Sequence, residues 1–226
     1  DFELVGACVQ LPGDERAQVG NLAWLCHNLW LHYRFGMDES VLRRALYPAL
    51  RRAVNFYLHF LFEDESGTLH LKRTFSPEYG SAEDCNYDLA LLRWGCRTLP
   101  EICRILGTDD PLLPVWRDTE ERLTDYPQDE RGMMIGRELP YTRSHRHYSH
   151  LLMFYPLYLL NADQPGSREL MERSVEHWHS IPGNILGYSY TGAASLYAAF
   201  GEGDRALEML DGLFTRTLRP NTMYKE

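Results

Sequence analysis

No run of this 226-residue chain approaches the roughly 18 apolar residues of a bilayer-spanning helix, so no segment reads as a transmembrane anchor. Cysteine is scarce and irregular. Cys8, Cys26, Cys85, Cys96 and Cys103 are an odd number with no CxxC pair, which favours free buried thiols over a disulfide framework. Basic residues are outnumbered, 23 Lys and Arg against 32 Asp and Glu, and the net charge of −9 argues against nucleic acid or an anionic membrane as the main partner. There is no GxGxxG, no P-loop lysine and no HExxH, and no serine sits in a nucleophile elbow. A starting methionine and a signal peptide are lacking too, so the chain reads as a piece of a longer protein. What is present is an ordinary core, 44% hydrophobic, with 14 Tyr and 5 Trp that suit either packing or a pocket stacking flat apolar faces.

Helical periodicity runs almost throughout. Residues 17–35 put Leu22, Leu25, Leu29 and Tyr33 on one side and Trp24, His27 and Trp30 near another. A second helix is expected from a Ser40 cap to about Phe62, kinked or broken at Pro48, which lacks the backbone donor and crowds the turn before it. Further helices are expected over 84–106, 111–123, 145–160, 167–179, 189–200 and 203–216, with 67–79 irregular or briefly extended. Phe35-Gly36-Met37-Asp38, Leu106-Gly107-Thr108-Asp109 and Phe200-Gly201-Glu202-Gly203-Asp204 share one form: an apolar helix end, a glycine able to take positive φ, and an Asp able to cap the next helix. Leu160-Asn161-Ala162-Asp163 is a looser copy. Such tight turns, with long connections at 63–83 and 124–144 between them, predict an all-α toroid of antiparallel helical hairpins whose long loops carry function. Residues 1–226 are expected to form a single domain.

Two constellations carry chemistry. His145-Arg146-His147-Tyr148-Ser149-His150 holds three of the nine histidines in six residues. Buried ring nitrogens need partners, so this is a metal site or a polar pocket. His145, His147 and His150 have the HxHxDH spacing of metallo-β-lactamase-like hydrolases, but Ser149 stands where the Asp belongs and no strands precede it. A metal-dependent hydrolase is thus the weaker reading, and no metal or cofactor is assigned. Neutral imidazoles and a guanidinium instead suit a hydroxyl-rich ligand. The second constellation is Thr74-Phe75-Ser76-Pro77-Glu78-Tyr79-Gly80. Pro77 stiffens the segment before Glu78, and a carboxylate held among Phe75 and Tyr79 has the setting of a general acid. An exposed loop glutamate is the plainer alternative. Asp84 reads as a helix cap, and Asp88, one turn on, as a carboxylate pointing into a pocket with Trp24 and His27.

These stretches resemble glycoside hydrolase family 95, the inverting α-L-fucosidases and relatives. The resemblance is carried by Ala23-Trp24-Leu25-Cys26-His27-Asn28-Leu29-Trp30-Leu31-His32-Tyr33, Tyr47-Pro48, Phe56-Tyr57-Leu58-His59-Phe60-Leu61, Ser76-Pro77-Glu78, His145-Arg146-His147-Tyr148-Ser149-His150-Leu151 and Gly203-Asp204-Arg205-Ala206. It implies part of an (α/α)6 barrel and an O-glycosidase of α-linked sugars, fucosides or related α-L-galactosides. Glu78 would be the general acid, and His145, Arg146 and His147 would contact the sugar, with Trp24, His27 and Asp88 nearby. The base would lie outside these 226 residues, leaving this piece inactive alone. An oligosaccharide or glycoconjugate would be the partner, in a secreted or periplasmic setting. Tyr79 after the Glu and Leu157 after Tyr155-Pro156 depart from the family pattern and mark a divergent relative. A helical toroid that binds carbohydrate without catalysis is the alternative.

Overall fold

The computed structural model describes residues 18–225. Cys8 lies outside them, as does the start of the helix expected from residue 17. The chain is mostly helical, with three short two-stranded hairpins in its connections. None of its described helices is long and apolar enough to cross a membrane. It divides into two compact units, one ending at Tyr126 and one starting at Pro127.

In the first unit, α1 spans Asn21–Gly36 and ends where Met37, rather than Gly36, takes the left-handed conformation at φ 54°. The next helix is built in pieces: α2 (Glu39–Val41), a π turn (Leu42–Leu46), α3 (Tyr47–Tyr57) and a 3-10 turn (Leu58–Phe60). Its cap is Asp38, which accepts from the Ser40 amide at 2.8 Å, so the expected Ser40 cap shifts by two residues. The helical run is continuous, and its α ladder is broken by the π turn directly ahead of Pro48, where the kink or break was expected. Leu61 to Ala82 folds as two antiparallel hairpins, β1 (Leu61–Glu63) with β2 (Leu69–Leu71) and β3 (Thr74–Ser76) with β4 (Gly80–Ala82). The helix expected to reach Phe62 therefore stops short of it.

α4 (Asn86–Leu106) is the spine of this unit, with Leu89, Ala90, Leu91, Leu92, Leu99 and Ile102 all fully buried. Gly95 lets α3 come close, since a Cβ there would lie 2.5 Å from Val54 Cγ2. Gly107 ends α4 at φ 61°, as its sequence form predicts. The carboxylate that bonds in the following turn is Asp110: it accepts from the Leu112 amide at 2.8 Å ahead of α5 (Leu113–Arg122), which has no side-chain cap. Cys26, Cys85, Cys96 and Cys103 are buried free thiols.

The second unit starts with the hairpin of β5 (Gln128–Asp129) and β6 (Gly132–Met133). α6 (Ser167–Ser180), α7 (Gly187–Ala199) and α8 (Gly203–Gly212) supply its helical body. Aromatic rings lie directly on α7 and α8 glycines: a Cβ on Gly192 would meet Tyr148 at 2.3 Å, and one on Gly212 would meet Tyr190 at 2.6 Å. The helix expected over 145–160 does not form. The segment makes bends, a 3-10 turn at Ser149–Leu151 and further turns. Leu151, Leu152, Met153 and Phe154 are each fully buried, so this stretch has no solvent face to give it an amphipathic period. Turn bonds of its own, such as Leu151 N–H to the Tyr148 carbonyl and Leu159 N–H to the Met153 carbonyl, both at 2.8 Å, hold most of it, while the His145 and Arg146 carbonyls take side-chain donors from α6 and α7.

Candidate active site

The candidate residues fall in two segments, one per unit. In the first, the β3–β4 hairpin turns at Pro77-Glu78-Tyr79. The Tyr79 amide donates to the Ser76 carbonyl at 3.0 Å, which closes a β-turn with Pro77 and Glu78 at its centre. Proline at the first central position and positive φ at the second make a type II turn, and Glu78 has φ 56°. Glycine or asparagine is the usual occupant there. A glutamate costs about 1 kcal/mol, and such strain persists only where the surroundings hold it. Glu78 is exposed, beside half-buried Phe75 and buried Tyr79. Backbone strain of this kind clusters at functional sites.

Two buried carboxylates hold the base of this hairpin. Asp84 accepts from the Leu71 amide at 2.8 Å and from His70 Nδ1 at 2.9 Å. It is itself at φ 47° and lies ahead of α4, but it bonds back to β2 rather than capping the helix. Asp88, in the first turn of α4, accepts from the Tyr57 hydroxyl at 2.7 Å and the Thr74 hydroxyl at 2.6 Å. Burial pushes its pKa up to about 7, against the pull of those two hydroxyls. Asp88 is 0% exposed, so the expectation that it points into a substrate pocket is corrected: both oxygens are spent inside the protein. On α1, Trp24 is half-buried and tilted on Tyr87, with ring centroids 5.6 Å apart. His27 is buried edge-on to Trp94 at 5.2 Å.

In the second unit, the His145-Arg146-His147 segment is clamped by its main chain. The His145 amide donates to the Tyr141 hydroxyl at 2.9 Å, and its carbonyl accepts from Trp178 Nε1 at 2.8 Å. The Arg146 carbonyl accepts from the Ser189 hydroxyl at 2.6 Å. Ser144 Oγ accepts from the Asn184 amide at 2.8 Å. The backbone is thus held by α6, α7 and the turn between them. His145 Nε2 and His147 Nε2 lie 2.9 Å apart, so one nitrogen carries the proton and the other accepts it. Burial, then the neighbouring charges of His145 and Arg146, pushes the His147 pKa down to about 3. His147 is thus neutral near pH 7 and offers directed hydrogen bonds without a charge of its own.

His150 is fully buried and stacks on Tyr141 at 4.8 Å with rings 15° from parallel. Burial and the nearby His145, His147 and His177 push its pKa down to about 3, and its Nδ1 has no hydrogen-bond partner. It is a core imidazole rather than a third arm beside His145 and His147. Behind the segment, Tyr148 stacks on Tyr188 at 5.6 Å and leans on Trp178. Sequence reasoning missed Tyr57, Thr74, Tyr141, Trp178 and Ser189, the side chains that position the two segments. Thr74 opens the very stretch that holds Glu78 and was visible there. Trp178 and Ser189 carry no local signal, because their targets are backbone carbonyls more than thirty residues away in sequence.

Residues 12–226 match the family model described as the glycosyl hydrolase family 95 catalytic domain, and the chain belongs to that family. Over 221 residues it is 26% identical to "Alpha-L-fucosidase 2" of Arabidopsis thaliana, an alignment covering 85% of this chain and 24% of that protein. Over 196 residues it is 26% identical to "Probable alpha-fucosidase A" of Aspergillus niger, covering 77% of this chain and 24% of that protein. The chain spans about a quarter of the length of these curated relatives.

Proposed function

We propose that this chain is part of the (α/α)6 barrel of an inverting glycosidase that cleaves α-L-fucosides or related α-L-galactosides. Glu78 is the general acid. Its carboxyl proton goes to the glycosidic oxygen as the bond to the anomeric carbon breaks. Water attacks that carbon from the opposite ring face, and a carboxylate outside these 226 residues takes its proton. Inversion of this kind places the two carboxyls roughly 6.5–9.5 Å apart. His145, Arg146 and His147 hold ring hydroxyls, and half-buried Trp24 offers a flat apolar face.

One observation carries this reading: Glu78 occupies the left-handed position of a type II turn, at φ 56°, where a glycine would be cheaper. The family membership and the names of the relatives support the substrate class. The test is Glu78→Gln in the full-length protein. On alkyl or sugar-leaving glycosides kcat should fall by about 10²–10⁴-fold, the usual worth of a general acid. On 4-nitrophenyl glycosides, whose leaving group needs little protonation, the loss should be far smaller. Equal losses on both would sink the acid role.

A further inference from the structure

We propose that Asp88 is a positioning residue: through the Thr74 hydroxyl it fixes strand β3 and thereby the point from which Glu78 delivers its proton. The inference rests on Glu78 being the acid.

The argument starts from the strain in the turn. A glutamate at φ 56° relaxes unless both strands below it are held. Thr74 is the first residue of β3 and lies four positions before Glu78. Three backbone pairs, Thr74 with Ala82, Phe75 with Ser81 and Ser76 with Gly80, carry the position of Thr74 up to the turn. At the base, the Thr74 hydroxyl donates to Asp88 Oδ2 at 2.6 Å, and the Thr74 carbonyl faces Cys85 Sγ at 3.5 Å. Asp88 is rooted in the first turn of α4, the long buried helix of the unit, and its other oxygen takes the Tyr57 hydroxyl from the end of α3 at 2.7 Å. One buried carboxylate thus joins two core helices to the strand that feeds the turn. Apolar side chains of similar volume would fill the same space without the cost of burying an ionisable group. What they would not supply is direction: a short hydroxyl–carboxylate bond fixes the strand along its own axis, and a misplacement of about 1 Å at a catalytic group can cost on the order of 10²-fold in rate.

The experiment uses the full-length enzyme, with 4-nitrophenyl and alkyl glycosides of the same sugar and a thermal melt of every variant. Thr74→Val keeps the shape and removes the hydroxyl; Thr74→Ser keeps the hydroxyl. Thr74→Val should lower kcat on the alkyl glycoside by about 10–100-fold, by less than about threefold on the activated one, and leave KM within about twofold. Thr74→Ser should restore most of the loss. In a Glu78→Gln background, Thr74→Val should add less than about twofold, because the group it positions is gone. Tyr57→Phe removes the other hydroxyl from the same carboxylate without touching β3, and should lower the melting temperature without the leaving-group bias. Should Thr74→Val fold poorly, Thr74→Ala, which also lacks the hydroxyl, is read for the same leaving-group bias, with Thr74→Ser as its control. Equal losses on both substrates for Thr74→Val, full addition to the Glu78→Gln loss, or the same bias in Tyr57→Phe overturn the positioning role alone. If Glu78→Gln itself shows no leaving-group bias, the acid reading fails first and this inference with it.

Discussion

The Glu78 hairpin is held from below by carboxylates, Asp84 and Asp88, that are buried and accept from hydroxyls, an amide and an imidazole. The His145–His147 segment is held by neutral donors, the Trp178 indole and the Ser189 hydroxyl, which reach its backbone carbonyls. The first arrangement buries an acid, whose pKa is pushed up; the second buries bases, whose pKa values are pushed down. Burial raises the cost of the charged form in both, and the sign of the shift follows from which form is charged. The two units should therefore respond to pH in opposite directions.

That contrast can be broken outright. Asp88 has a folded-state pKa of about 7, above the ordinary carboxylate value, so the folded form holds its proton more tightly. Its stabilisation is full below about pH 4 and is lost as pH rises through 7, by up to about 4 kcal/mol. Asp88→Asn should flatten that decline in denaturant unfolding across pH 4 to 8; an unchanged slope would show that Asp88 does not titrate there. His150, at about 3, works the other way: its contribution is full above about pH 6.5 and is lost as pH falls through 3. His150→Gln should reduce acid sensitivity below pH 6.5 and leave the neutral range alone.

Smaller perturbations sharpen the same contrast. A Cβ on Gly192 would sit 2.3 Å from a Tyr148 ring already stacked on Tyr188 and leaning on Trp178. Gly192→Ala should cost about 1–3 kcal/mol of unfolding free energy and weaken sugar binding with it. Preserved binding affinity would separate the helical body from the His145–His147 segment. Trp178→Phe removes the donor to the His145 carbonyl, at about 1–2 kcal/mol, with a rise in KM larger than any fall in kcat. The smallest effect should be a gain. Glu78→Gly relieves the positive φ and should raise stability by about 1 kcal/mol while removing the acid. A loss of stability would mean that the Glu78 side chain contributes more than the strain costs.

Much of this was legible in the chain. α4 announces itself through a long apolar period, and Gly107 through the form Leu106-Gly107-Thr108-Asp109. Ser76-Pro77-Glu78 marked itself as a stiff segment, because proline restricts its neighbours locally. The stretch 145–160 was misread as a helix for the opposite reason: Leu151 to Phe154 are all fully buried, and the His145 and Arg146 carbonyls are met by donors remote in the chain, which leaves no periodic trace. Asp88 was seen as a notable carboxylate but given the wrong surroundings, since sequence shows which groups ionise and not what covers them.

The sequence alone determined the helical class, the family and the two polar segments, because periodicity, proline and clustered imidazoles act over a few residues. Only the tertiary structure decided that Asp88 faces Thr74 and Tyr57 rather than solvent, that Glu78 is strained, and that His145 and His147 share a proton. Those outcomes depend on burial and on partners remote in the chain, and burial sets both the cost of a charge and the worth of a hydrogen bond.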